Sequence, residues 1–167
     1  MTVSRRLLAA FIFVVGLATI LGAWGFQLIG NYVPCELCLK ERIPYYVGLP
    51  LALIAFIAIV ANAPAWVGRT LLGIVAIVFV CGIGLGVYHA GAEWAWWPGP
   101  SSCGGGGSAA STTGDLLNQL NNIHVVSCTD AAFRFPAGWG LSFAGWNAVV
   151  SLVLVIAAAW GAAKQAD

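Results

Sequence analysis

Cys35 and Cys38 lie at i and i+3 in Val33-Pro34-Cys35-Glu36-Leu37-Cys38-Leu39-Lys40-Glu41-Arg42-Ile43-Pro44, a charged island between two long apolar runs. On a short helix this spacing puts both sulfurs on one face, and Arg42, four residues beyond Cys38, follows on the same face. A cysteine near a helix N-terminus and a guanidinium has a lowered pKa, so the pair reads as a redox dithiol with its own cation. Pro34 suits the start of such a helix. A structural metal site would need two further ligands, and Cys103 and Cys128 do not form the second close pair of a zinc ribbon. Haem attachment would need His directly after Cys38, where Leu39 stands. A staple across so short a loop constrains the unfolded chain little, which leaves chemistry as the value of the pair. No metal is expected.

These residues must be positioned by a membrane. Of the 167 residues 60% are hydrophobic and 8% charged, against a soluble average of about half apolar and about a quarter charged. The formal net charge of +1 gives no footprint for nucleic acid. Apolar runs at about 7–29, 43–61, 71–88 and 141–163 are each read as a span, since a bilayer needs about 20 apolar residues. The first is too long for a signal-peptide core, with cleavage after Ala23 or Gly25 the lesser alternative. The expected fold class is an all-α membrane protein, a four-transmembrane-helix bundle in one domain over residues 1–167, with cysteine-bearing loops at about 30–42 and 89–140. Pro50 predicts a kink in the second span and a freed carbonyl oxygen at Tyr46.

Parity places the two cysteine loops on one side of the membrane, and both termini with the 62–70 turn on the other. Arg5, Arg6, Arg69 and Lys164 fall on the terminal side, against Lys40, Arg42 and Arg134 across from it. The positive-inside rule thus favours cytoplasmic termini. Paired thiols in the opposite loops suit an oxidising compartment such as the bacterial periplasm.

The long loop has three parts. Trp94, Trp96 and Trp97 suit an interfacial belt. Cys103 is followed by four glycines and a Ser/Ala/Thr stretch to Thr113, the composition of a linker and not of a phosphate loop, since no Lys-Ser/Thr follows. Residues 115–121, with Leu116, Leu117 and Leu120 on one side, suit a short amphipathic surface helix leading to Cys128. Cys103 and Cys128 could bridge each other or exchange with Cys35 and Cys38, because a thiolate attacks a disulfide through a mixed intermediate and four sulfurs within reach form a relay. Two structural bridges are the bland alternative. Cys81, mid-span, is expected to be a small buried hydrophobe without a role, and His124 an ordinary surface residue.

The arrangement Pro34-Cys35-x-x-Cys38-x-x-Glu41-Arg42 after the first span, Tyr88-His89 closing the third, and Cys103…Cys128 before the fourth resembles the bacterial disulfide-bond formation protein B family (DsbB). The resemblance covers essentially the whole chain. It implies a membrane thiol:quinone oxidoreductase of the bacterial inner membrane that generates disulfides with ubiquinone or menaquinone from the membrane quinone pool. It implies that Cys35 and Cys38 are the quinone-coupled pair, and that Cys103 and Cys128 oxidise a periplasmic thioredoxin-fold thiol oxidase of the DsbA type. Arg42 matches the family's quinone-contacting arginine, and His89 falls where the family has a histidine near the quinone. Tyr45 and Tyr46, three and four positions beyond Arg42, are expected to line the same pocket. The Gly-rich stretch between Cys103 and Cys128 departs from the family pattern. The competing readings are a structural or transport tetraspan with staple disulfides, and a vitamin K epoxide reductase type of quinone reductase. The latter would need the opposite order of cysteine pairs.

Overall fold

The protein is described by a computed structural model, in which residues 4–100, 124–136 and 140–164 are the described ones. Cys103 and the short helix expected at 115–121 lie outside them. Among the described residues, four helical stretches are long and apolar enough to cross a membrane, as the apolar runs require. Helix α1 (Arg5–Leu28) starts where the Ser4 hydroxyl accepts a hydrogen bond from the Leu7 N–H at 3.3 Å, which satisfies one of the free donors of the first turn. Then follow strand β1 (Tyr32–Val33), the short helix α2 (Glu36–Lys40), helix α3 (Ile43–Val60) and helix α4 (Ala65–Glu93). Beyond it come strands β2 (His124–Val125), β3 (Arg134–Phe135) and β4 (Leu141–Ser142), and helix α5 (Phe143–Ala163).

Each long helix is apolar on every face, so burial is decided by residue size and register and not by a polar stripe. Leu8 and Ile12 of α1, Leu49 and Ala52 of α3, Val75 and Phe79 of α4, and Leu154 and Ala158 of α5 share one core. Leu7, Ile54, Ile77 and Ile156 face outward and are more than half exposed, which in a bilayer is contact with lipid. Helices α4 and α5 approach through small residues: a Cβ on Gly86 would lie 2.9 Å from the Ala148 nitrogen and 3.0 Å from the Ala144 oxygen. Such close approach is how helices gain packing energy where hydrocarbon supplies no hydrophobic drive. Cys81 is exposed on α4, so it faces outward and is not the buried hydrophobe expected of it.

Helix α4 is longer than its apolar run. It begins at Ala65, within the stretch read as a turn, and continues past Tyr88 to Glu93, carrying His89 and Glu93 on regular helix. Helix α3 runs through Pro50. At the end of the bundle that holds the termini, arginines close the helix ends: Arg5 donates to the Lys164 carbonyl, Arg69 to the Ala162 carbonyl at 3.1 Å, and Arg6 to the Asn62 side chain at 3.2 Å. At the opposite end two small sheets organise the loops. Strand β1 pairs in parallel with β2, Tyr32 opposite His124 and Val33 opposite Val125, and the ladder is extended by Val126 N–H donating to the Val33 carbonyl at 3.2 Å. Strands β3 and β4 pair antiparallel and lead into α5.

Candidate redox site

The β1–β2 ladder brings the segment before Cys128 alongside the segment before Cys35. Cys35 is the N-cap of α2: its backbone is extended, and its Sγ accepts from the Cys38 N–H at 3.2 Å. The helix turn that follows places the Cys38 sulfur 2.6 Å from that of Cys35, far inside the separation of unrelated sulfurs and near the roughly 2.05 Å of a disulfide. Both are thiols, as is Cys81, whereas Cys128 is disulfide-bonded. Cys35, Cys128 and Leu37 are buried together, and the Cys35 sulfur, the Cys128 sulfur and a His89 ring nitrogen all lie within 4.8 Å of one another. In this oxidation state Cys128 lacks the thiolate charge that makes cysteine a metal ligand, and its sulfur stands within reach of the Cys35 thiol for thiol–disulfide exchange.

Long-range polar contacts orient the site. His89, 2% exposed, directs Nδ1 to the Glu41 carboxylate at 2.8 Å. With Nδ1–H donating there, Nε2 faces the Cys35 sulfur at 3.7 Å. That fixes the ring's tautomer in the manner of a carboxylate-oriented catalytic histidine. The Cys35 thiol is brought down to about 5, first by its hydrogen bond with Cys38, against the opposing effect of burial, and then by His89. Near neutral pH Cys35 is therefore the thiolate.

The expectation that Arg42 supplies this charge is corrected. Arg42 is not among the groups that lower the Cys35 thiol; it sits at the junction of α2 and α3, and its guanidinium reaches α1. There it donates to the Gln27 side chain at 2.6 Å and the Ala23 carbonyl at 3.4 Å, and lies 5.5 Å from the centre of the Trp24 ring.

Beside the dithiol lies a cavity of about 280 Å³ with mainly apolar walls, close to the lower end of the roughly 300–1,000 Å³ usual for small-molecule sites. Cys38, Arg42, Tyr45 and His89 line it; Cys35 and Tyr46 are not among its lining residues. Tyr46 is 49% exposed and accepts a hydrogen bond from Trp24 Nε1 at 3.2 Å. The sequence reading gave no role to several polar residues of this site. Glu41, Glu93 and Asn147 line the cavity, and Gln27 holds Arg42. The usable signal was general, since an ionisable residue inside a span is a functional candidate by default, and Glu93 follows His89 by one helical turn. Trp97, read with Trp94 and Trp96 as a belt, folds back on α4 instead. Its Nε1 donates to the Tyr88 carbonyl at 2.8 Å, and its ring fills the space over Gly91, where a Cβ would lie 2.0 Å from it.

The family model for disulfide bond formation protein DsbB matches residues 5–161. The chain belongs to the DsbB family. No curated protein and no solved structure matched it. Membership makes this DsbB-family chain a multi-pass membrane protein of disulfide-bond formation, with the disulfide oxidoreductase activity that the family implies.

Proposed function

We propose that the protein is a thiol:quinone oxidoreductase of the bacterial inner membrane that makes disulfides with a quinone, ubiquinone or menaquinone, and passes them to a periplasmic thioredoxin-fold dithiol oxidase of the DsbA type. The observation that carries this reading is the division of labour within one dithiol: Cys38 lines the cavity while Cys35 lies against Cys128. Electrons arriving at Cys128 have a neighbouring sulfur to pass to, and Cys38 has a cavity beside it. Cys103 and Cys128 are assigned as the pair that the soluble partner reduces, and Cys35 and Cys38 as the pair that a quinone reoxidises.

The cavity suits a quinone on its own features. Its walls are mainly apolar, and two buried polar atoms at it, Glu93 Oε2 and Asn147 Nδ2, have no hydrogen-bond partner among the described residues. Buried polar atoms cost free energy unless paired, and a ring carbonyl oxygen would accept from Asn147 Nδ2 and, when the Glu93 carboxyl group carries its proton on Oε2, from Glu93 as well. A bound quinone would supply an acceptor for two electrons and two protons. The protein's own residues do the rest: Arg42 and His89 present positive or donor groups at the cavity, Tyr45 anchors Asn147 by donating to its Oδ1 at 2.7 Å, and the apolar walls exclude water.

The test is to purify the full-length protein in detergent, extract and identify bound quinone, and follow bleaching of quinone absorbance when a reduced thioredoxin-fold partner is added. Turnover supports the reading; a purified protein that neither binds nor reduces quinone overturns it. Orientation is tested by reporter fusions, expected to read cytoplasmic in the 62–70 turn and periplasmic within 104–113. The reverse pattern would put the dithiols in a reducing compartment.

A further inference from the structure

Glu93 is the last residue of α4, and its side chain is 4% exposed. A carboxyl group buried at a helix C-terminus stands against the negative end of the helix dipole and away from water, a costly place that packing alone does not explain. One of its oxygens, Oε1, lies 3.9 Å from His89 Nε2; the other, Oε2, is buried without a hydrogen-bond partner among the described residues, and the residue lines the cavity. The same Nε2 lies 3.7 Å from the Cys35 sulfur. One nitrogen thus stands between a thiol and a carboxyl group, while Nδ1 is held by Glu41. The charged and polar groups facing Glu93 are His89 on its own helix, Glu41 from the α2–α3 junction, Arg134 of β3 and the Ser142 hydroxyl before α5.

We infer that Glu93 is the proton-transfer group of the site, carrying protons between His89 Nε2 and the acceptor in the cavity. This rests on the quinone reading above. Closing the Cys35–Cys38 disulfide removes two electrons and two protons from the dithiol. A quinone becoming a quinol takes up two of each, so the balance needs no further reagent. The sulfurs provide the electrons through Cys38, at the cavity wall. The Cys35 proton, held near neutral pH on Nε2 because Nδ1–H is committed to Glu41, passes to Glu93 and on to one acceptor oxygen; the Cys38 proton is released at the cavity wall to the other as the disulfide closes. Glu93 is then reprotonated from His89.

The experiment uses the full-length protein in lipid nanodiscs. Redox-induced infrared difference spectra of wild type should show the carbonyl stretch of a glutamic acid side chain, shifted by carboxyl-labelled glutamate and absent from Glu93→Gln. In steady state, Glu93→Gln should lower kcat for quinone reduction by about a hundredfold, the lower end of what proton transfer by a positioned side chain contributes. KM for quinone should change little, and the pH profile should lose one ionisation. Glu93→Asp should recover much of the rate. Thiol–disulfide exchange with the soluble partner, measured without quinone, should fall far less than quinone reduction in both variants. A wild-type spectrum without any glutamic acid band overturns the inference whether or not the variants fold. So does a Gln variant with wild-type kcat and pH profile. Wild type that reduces no quinone at all overturns the reading beneath it instead.

Discussion

The Cys128 sulfur lies within 4.8 Å of the Cys35 sulfur, and the two differ in state: Cys35 is a thiol beside Cys38, and Cys128 is already in a disulfide. In the proposed relay, that contact is where electrons cross from one loop to the other. Replacing Cys35 or Cys38 by Ser should abolish quinone reduction by a dithiol substrate. Cys81→Ala, on the outward face of α4, should leave it nearly intact. Equal loss of activity in Cys81→Ala would show that the relay has been assigned to the wrong sulfurs.

The lowered pKa of Cys35 sets a pH dependence. With its value at about 5, the sulfur is a thiolate above that pH and is protonated as pH falls through it, whereas an ordinary thiol stays protonated up to about 8.5. Alkylation of the reduced protein by iodoacetamide, followed at Cys35 by mass spectrometry, should therefore show its midpoint near 5. Cys38→Ala removes the largest stabilising contact and should move the midpoint upward; His89→Phe should move it in the same direction. A wild-type midpoint near that of a free thiol would contradict the geometry.

Arg42 lines the cavity and is held by α1. Hydrogen bonds to charged groups are worth about 1.5–3 kcal/mol, so Arg42→Gln should lower kcat/KM for quinone by roughly tenfold to a hundredfold. Arg42→Lys should fall between, because it keeps the charge and loses the planar fork that holds Gln27 and Ala23 together. Gln27→Leu should reproduce part of the loss with every charge in place. Full activity in Arg42→Lys and Gln27→Leu would reduce Arg42 to a snorkelling cation at the span end.

Gly86 tests the packing that positions His89. A side chain there must displace the α5 backbone at Ala144 and Ala148, and overpacking of this kind typically costs about 1–3 kcal/mol. Gly86→Val should lower the Tm in detergent and weaken quinone reduction together. Gly84→Ala, where nothing lies within 4 Å of an added Cβ, should change neither.

The four spans were legible because twenty-odd apolar residues leave a chain few alternatives, and the cysteine spacing announced the dithiol. The partner of the dithiol was not legible in the same way. Helical spacing put Arg42 beside Cys38, but that inference assumed an unbroken helix. The guanidinium bonds to Gln27 and Ala23 of α1, and the ring nitrogen that faces the Cys35 thiol belongs to His89, which comes from another helix. The Glu41–His89 contact joins residues from separate elements, and no periodicity announces it. Strands of two residues, such as β1 and β2, are too short to show alternation. Glu93 was hidden by its neighbours, since a run of tryptophans directs attention to the membrane surface and away from the acid that ends α4.

The β1–β2 ladder has a kinetic meaning. Two flexible loops joined only through the bundle would meet by diffusion, at an effective concentration in the millimolar range. Pairing Val33 with Val125 holds one loop against the other a few residues before each sulfur, and the Cys35–Cys128 encounter is thereby already made when electrons arrive. In the proposed relay, transfer between the loops is then expected to outrun attack by small thiols in solution. The few backbone hydrogen bonds of the ladder, and not the sulfur chemistry, become the point at which that internal route can be opened.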